Sequence, residues 1–248
     1  IHSIFRDYTE LIEPLSLDEA YLDVSDSQWY SGSATRIAED IRRRVARTLH
    51  ITVSAGVAPN KFLAKIASDW RKPNGLFVIT PGEVEAFVAG LPVARLHGVG
   101  KVTADKLARL GIETCLELRE WSRLALVREF GSFGERLWGL ARGIDERAVH
   151  NDSRRQSVSV ENTYDTDLPD LASCMARLPE LLESLNERIA RMDSSYRPDK
   201  LFVKVKFHDF SQTTLEQAGA GRDLESYRQL LGQAFARGGK PVRLLGVG

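Results

Sequence analysis

The chain has 248 residues, enough for one to three compact domains with a sizeable core. Its 34 Lys and Arg balance 34 Asp and Glu, so net charge indicates no acidic partner, and a nucleic-acid surface would have to be a local basic face. Cys115 and Cys174 lack CxxC or Cys/His spacing, which argues against a disulfide scaffold or a zinc site and favours a reducing compartment. The sequence shows no apolar run of membrane-spanning length and no secretory signal, so we expect a cytoplasmic protein that does not bind a membrane.

The stretch 11–24 predicts a β-hairpin with an acidic turn. Apolar residues at 11–15 and 20–24 predict two short strands, and the polar break between them carries Asp18 and Glu19. Adjacent carboxylates at strand ends offer the hard oxygen ligands that Mg²⁺ prefers, usually together with substrate phosphates. An isolated Asp-Glu pair is also typical of a solvated turn, so the residues alone leave both interpretations open.

The pattern up to residue 80 is typical of an α/β layer. The remaining predicted elements there are a helix at 33–49, a strand at 51–57, a helix at 60–70, a turn at 72–75 and a strand at 76–79. The order β-β-α-β-α-β predicts helices packed on a sheet. The sequence contains no GxGxxG or Walker A motif, so nothing in it indicates a dinucleotide fold or a P-loop.

From residue 81 the chain becomes helical, with predicted helices at 81–90, 102–110, 114–119, 122–130 and 133–141. The sequence LHGVGK, which contains Gly98, Gly100 and Lys101, resembles a helix-hairpin-helix. Paired glycines let backbone N–H groups at a helix N-terminus face a phosphate whatever the base. A GxG pair is also common in a plain tight turn. FGSFG at 130–134 predicts either a weaker second hairpin or a simple connection between helices.

The last third of the chain predicts a small two-layer domain. The polar stretch 143–156 predicts a linker, and strands and helices then follow in the order β-α-β-β-α-β. In the strand 200–208 the period of two turns the apolar residues toward the helices and Lys200, Phe202, Lys204, Lys206 and His208 toward the opposite face. Such a face suits a sugar-phosphate backbone, and a solvated sheet face explains the lysines equally well.

Several of these motifs together resemble the Y-family DNA polymerases, most of all the bacterial DinB type. The matching stretches are LSLDEAYLD at 15–23, SAGVAPNKFLAKIASD at 54–69, KPNG at 72–75, GVGK at 98–101 and GID at 143–145. The resemblance implies an α+β protein made of the carboxyl-terminal part of a palm (1–80), a thumb with the helix-hairpin-helix (81–142), a linker (143–156) and a little finger domain (157–248).

The resemblance also implies a role for individual residues. Asp18 and Glu19 correspond to a catalytic acidic pair that binds two Mg²⁺ ions, one activating the primer 3′-hydroxyl and the other neutralising the triphosphate. Lys72 corresponds to a lysine on the incoming triphosphate. The implied contacts with DNA are made by Gly98, Gly100, Lys101, Arg154, Arg155, Lys200, Lys204 and Lys206.

The implied activity is translesion DNA synthesis on primer-template DNA with deoxynucleoside triphosphates, by a monomer that binds a sliding clamp through a tail. That tail, the fingers and the strand with the first metal-binding aspartate have no counterpart in this chain, and both of its ends look cut. We therefore expect a fragment that is itself inactive, from an active parent. Three alternatives stay open: a non-catalytic accessory member of the family, a DNA-binding module only, and a nucleotidyl cyclase-like enzyme.

Overall fold

A computed structural model describes residues 1–151, 156–193, 199–219 and 221–248. The chain divides into two compact units, Ile1–Ser153 and Arg154–Gly248. Within the described ranges, no helix has both the length and the apolar character needed to cross a membrane.

The first unit begins with short strands alternating with helices. Its elements are α1 (His2–Arg6), β1 (Ile12–Pro14), β2 (Ala20–Leu22), α2 (Ala34–Leu49), β3 (Ala55–Val57), α3 (Lys61–Trp70) and β4 (Leu76–Val78). β1 and β2 form an antiparallel hairpin, and β3 and β4 form a separate parallel pair. The predicted order of elements is confirmed. The four strands form two separate pairs, however, and not one sheet. The pattern along a single strand does not determine which other strand it pairs with.

The strand predicted at 51–57 is too long, because only Ala55–Val57 is paired. Ile51 lies outside the strand and is half-exposed. The β-branched residues at 51–53 predicted a strand, but β4 is too short to pair with them. The caps of the two longer helices follow the sequence: Ser33 accepts from Arg36 N at 3.4 Å and Asn60 accepts from Leu63 N at 3.0 Å.

The rest of the first unit is helical, with α4 (Val84–Ala89), α5 (Lys101–Arg109), α6 (Cys115–Arg119), α7 (Arg123–Phe130) and α8 (Ser132–Leu140). These helices share one core with α3, which contributes Phe62, Leu63 and Ile66. A smaller core lies between α1 and α2, where Ile4 and Tyr8 pack with Ile37, Ile41 and Val45. The helix α3 therefore joins the sheet-forming part of the unit to the helical part.

The second unit is a four-stranded antiparallel sheet with two helices. It comprises β5 (Val160–Leu168), α9 (Leu171–Ala190), β6 (Lys200–Phe207), β7 (Gln212–Ala218), α10 (Leu224–Ala236) and β8 (Val242–Val247). The strand order is β5-β8-β6-β7. Buried residues of β6 and β8 pack on α9 and α10 in one core. The predicted β-α-β-β-α-β order and the α+β class are confirmed.

Candidate functional site

The acidic turn joins β1 to β2 and is open to solvent. Leu15 N donates to Glu19 O at 2.9 Å, which closes the turn. Asp18 is exposed, and Ser16 Oγ donates to its Oδ1 at 2.5 Å. This hydrogen bond lowers the pKa of Asp18, and the positive charges of Lys72 and Lys65 lower it further. Asp18 is thus an ionised, accessible carboxylate at neutral pH.

Two lysines from α3 and the segment after it surround this turn. Lys65 Nζ lies 2.5 Å from Glu19 Oε1, in a half-exposed ion pair. Lys72 Nζ lies 2.5 Å from Asp69 Oδ1, and this hydrogen bond raises the pKa of Lys72, with smaller contributions from the charges of Glu19 and Asp18. The structure therefore places Lys72 where its charge acts on the acidic pair, and it adds Lys65, to which the sequence analysis gave no role. Lys65 lies four residues after Lys61 on the same helix, and this spacing was the signal in the sequence that both lysines share one face.

A buried ion pair fastens the hairpin to the start of α3. Lys61 is only 6 % exposed, and its ammonium donates to both oxygens of Glu13 at 2.7 and 2.5 Å and to Ala148 O at 3.0 Å. It also lies 5.1 Å from the ring centroid of Tyr21, the residue opposite Glu13 in the hairpin. Burial raises the pKa of Glu13, but hydrogen bonds from Lys61 and from His150 N–H outweigh it, so the pKa lies below its ordinary value. A buried lysine needs such a partner to remain charged.

The segment 143–151 of the predicted linker is bound to the same region. Asp145 Oδ2 accepts from Phe62 N at 2.9 Å, at the start of α3. Asn151 Oδ1 accepts from Ile12 N at 2.9 Å, at the start of β1. Residues 143–151 are therefore bound to the hairpin and α3, although their sequence is mostly polar.

The two glycines of the hairpin motif differ in conformation. Gly98 has φ +94°, and an added Cβ would lie 3.1 Å from the ring of Phe133. Gly100 is the N-cap of α5 with φ −86°, and an added Cβ would meet open space. Lys101 is the exposed first residue of α5. The backbone argument for glycine therefore applies to Gly98, whereas Gly100 adopts a conformation open to other residues.

The lysine-bearing strand β6 has the predicted orientation, because Leu201, Val203, Val205 and Phe207 are buried. Its lysines have neighbours on the sheet face, which the strand pattern did not indicate. Lys204 Nζ lies 2.8 Å from Glu161 Oε2, Lys200 lies 4.0 Å from Glu216, and Lys206 lies 4.7 Å from the ring centroid of Phe210. The face is therefore of mixed charge, because β5 contributes Glu161 to it and β7 contributes Glu216. The predicted contacts Arg154 and Arg155 lie outside the described residues.

The donor set of the acidic turn suits a hard cation only in part. Asp18 and Glu19 supply carboxylate oxygens, and no group of three or more His, Cys, Asp and Glu side chains that could hold a metal occurs in 1–151, 156–193, 199–219 and 221–248. Two carboxylates completed by substrate phosphates are an arrangement that Mg²⁺ accepts. The residues present therefore fit a magnesium site that substrate helps to complete.

Three family models match the chain. One described as the impB/mucB/samB family matches residues 1–69, the C-terminal domain of that family matches 155–248, and a model described as the thumb domain of DNA polymerase-iota matches 94–145. These three matches lie in the same order as the predicted domains.

Curated relatives are similar over the whole chain. A DNA polymerase IV of Pseudomonas putida KT2440 is 96 % identical over 248 residues, which are all of this chain and 70 % of that protein. One of Pseudomonas entomophila L48 is 90 % identical over the same shares. Among solved structures, a Y-family polymerase chimera of Dbh and Dpo4 superposes with a TM-score of 0.84 at 30 % identity, over 99 % of this chain and 72 % of that one.

Proposed function

Because the chain belongs to the Y-family DNA polymerases, in the DNA polymerase IV group, we propose that its acidic turn is the catalytic centre for template-directed nucleotidyl transfer past damaged bases. The observation that carries this proposal is the grouping of two accessible carboxylates, Asp18 and Glu19, with Lys65 and Lys72. A polymerase needs this combination, because it must hold cations and a triphosphate side by side.

Y-family polymerases depend on metal ions, and we propose Mg²⁺ at Asp18 and Glu19. When bound, two such ions supply activation of the primer 3′-hydroxyl and neutralisation of the triphosphate charge. Ser16 fixes the orientation of the Asp18 carboxylate, whose low pKa keeps it ionised at neutral pH. Lys65 restrains Glu19, and Lys72 offers a point charge to the triphosphate.

The domain division proposed is a partial palm at 1–80, a thumb at 81–142, a linker at 143–156 and a little finger domain at 157–248. The ranges of the three family models support it, since they fall within or close to these bounds. Primer-template DNA and a deoxynucleoside triphosphate are the proposed partners. Support comes from a 27 % identical neighbour with a TM-score of 0.63, whose structure is described as an insertion ternary complex of Dbh DNA polymerase.

The proposed DNA contacts follow the same division. Gly98, Gly100 and Lys101 would bind a phosphate at the start of α5, where the first backbone N–H groups of a helix lack partners within the helix. The lysine-bearing face, here Lys200, Lys204 and Lys206 of β6, would bind the backbone in the little finger domain. DNA contacts by Arg154 and Arg155 stay predictions. So do the binding of a sliding clamp and the monomeric state.

The proposal is tested by Asp18→Asn and Glu19→Gln in the polymerase extended to the length of its 96 % identical relative. Each change removes a carboxylate charge without changing side-chain size. We expect single-nucleotide incorporation to fall by at least about 100-fold, and the Kd for primer-template DNA to stay within about twofold. Asp23→Asn is the matched control: Asp23 accepts from Ser25 N at 3.0 Å just after β2, and the amide oxygen of Asn retains that bond. Near-normal turnover in both acidic-turn variants would leave the turn a solvated connection and overturn the proposed site. A parent polymerase that binds primer-template DNA without incorporating nucleotides would favour the non-catalytic alternative.

A further inference from the structure

The turn that carries Lys72 is closely fitted to its neighbours. It runs from Lys72 to Gly75 between α3 and β4, and a Cβ at Gly75 would lie 1.7 Å from Arg71 O. Gly75 N donates to Ser54 Oγ at 3.2 Å, and Gly75 O accepts from Ala55 N at 2.9 Å. These contacts fix the end of the turn next to β3.

Within the turn, Asn74 is bound by Arg42, which lies 32 residues earlier on α2. Its Nε donates to Val53 O at 3.2 Å, and its Nη2 donates to Asn74 Oδ1 at 2.9 Å and to Asn74 O. Asn74 has φ +47°, a left-handed conformation that costs free energy in a residue with a Cβ. The planar fork of an arginine can reach these separate oxygens at once, which the single ammonium of a lysine does not reproduce.

We propose that Arg42 is a positioning residue for Lys72 and, through it, for the triphosphate of the incoming nucleotide. This inference rests on the proposed function of Lys72. None of the acceptors of Arg42 belongs to the acidic turn; they belong to Val53 and to Asn74, two residues after Lys72. Arg42 thus acts through the backbone of the turn.

The reason that a second residue is needed lies in Lys72 itself. Its side chain is about half exposed, and its ion pair joins it to Asp69 only three residues earlier, near the end of α3. An exposed pair of this kind contributes little to holding a backbone in place. The position of the ammonium depends on where the backbone of the turn is held. A misplacement of about 1 Å in a catalytic constellation can reduce its efficiency by up to about 100-fold.

The first experiment measures single-nucleotide incorporation by the full-length polymerase carrying Arg42→Met. We expect the KM for the nucleotide to rise by about 10-fold, with kcat and the Kd for primer-template DNA within about twofold. Arg43→Met is the matched control, because Arg43 lies next on α2, is 61 % exposed and pairs only weakly with Asp40 at 3.7 Å. A variant that lowers kcat through loss of folded enzyme, with KM unchanged, would overturn the proposal, since that is the signature of a merely structural residue.

A double-mutant cycle with Lys72→Ala decides whether the effect passes through Lys72. We expect Lys72→Ala to raise KM, and Arg42→Met to add less than about twofold on that background. Additive effects would overturn the positioning role and leave the assignment of Lys72 intact. An unchanged KM in Lys72→Ala would overturn that assignment and the positioning role together.

A second pair of variants keeps the test valid if Arg42→Met does not fold. Asn74→Gly removes the side-chain acceptor and tolerates a positive φ, whereas Asn74→Asp keeps an acceptor oxygen. We expect the KM for the nucleotide to rise by about threefold in Asn74→Gly and to stay within about twofold in Asn74→Asp. Equal KM values in the two variants and in the parent would overturn the proposal.

Discussion

The acidic turn of the first unit and the sheet of the second unit hold their charged residues in different ways. β6 is an eight-residue strand inside a continuous antiparallel sheet, so the pleat of the strand orients its lysines. The acidic turn lies between strands of three residues, and side chains from distant segments fix it in place. The ion pairs Lys61–Glu13 and Lys204–Glu161 show the contrast: the lysine is 6 % exposed in the first and 28 % exposed in the second. The proposed chemistry of the first unit would therefore depend on a few contacts between distant segments, and the proposed DNA affinity of the second unit on a regular surface.

The largest expected effect comes from breaking the buried pair. Lys61→Met should lower the free energy of unfolding of the first unit by about 3 kcal/mol, because the partly buried Glu13 carboxylate then loses its cation. Chemical denaturation followed by the fluorescence of Trp29, Trp70, Trp121 and Trp138 measures this. The double variant Lys61→Met with Glu13→Leu should recover part of the loss, since neither charge then remains. A Lys61→Met variant as stable as the parent would mean that the two pairs do not differ.

The same pair predicts a dependence on pH. The folded-state pKa of Glu13 lies below its ordinary 4.5, so its contribution to stability is present above pH 4.5 and is lost as the pH falls through the folded-state value. The stability difference between the parent and Glu13→Gln should therefore be largest near neutrality and shrink below pH 4.5. Denaturation curves at a series of pH values check this. A difference that grew with acidity would contradict the assignment.

Gly98 and Gly100 give a smaller, matched contrast within the first unit. Gly98→Ala should cost about 1–2 kcal/mol, because alanine is strained at φ +94° and its Cβ presses on the Phe133 ring. Gly100→Ala should cost only about 0.5–1 kcal/mol, the ordinary preference for glycine over alanine at an N-cap, because its φ is −86° and its surroundings are open. Thermal denaturation compares the two, and duplex binding by the folded variants should weaken more in Gly98→Ala. Equal losses would show that the turn does not need the left-handed residue.

The smallest expected effects lie on the sheet of the second unit. Lys206→Ala should flatten the slope of log K for DNA against log salt concentration by about 0.9, as for one phosphate contact, with stability within about 0.5 kcal/mol. Glu161→Gln should increase DNA affinity, because it frees Lys204 from a partner at 2.8 Å. Binding titrations at several salt concentrations measure both. Unchanged slopes in correctly folded variants would identify the face as a merely solvated one.

The contrast also explains what the sequence could predict. The period of two in 200–207 was enough to orient Lys204 and Lys206, because the pleat is a local property. The order of the family motifs along the chain was enough to select the acidic turn and the segment 72–75 as candidate site segments. The pairing of Lys65 with Glu19, 46 residues apart, could not be predicted, because it depends on how separate elements pack. The same holds for Glu161 beside Lys204, and for the normal backbone conformation of Gly100.

The packing of 145–151 has a consequence for the order in which the chain is made. Lys61 leaves the ribosome 87 residues before Ala148, one of its acceptors, and Phe62 N precedes its acceptor Asp145 by 83 residues. Until that later stretch is synthesised, the start of α3 carries a cation and a backbone N–H group that lack these acceptors, and burying either would cost free energy. The hairpin and α3 can therefore reach their final packing only after the helices α4 to α8 have been made. A chain stopped at residue 142 would contain Asp18, Glu19 and Lys72 and could form the Lys61–Glu13 pair, but it would lack the acceptors that Asp145 and Ala148 supply at the start of α3.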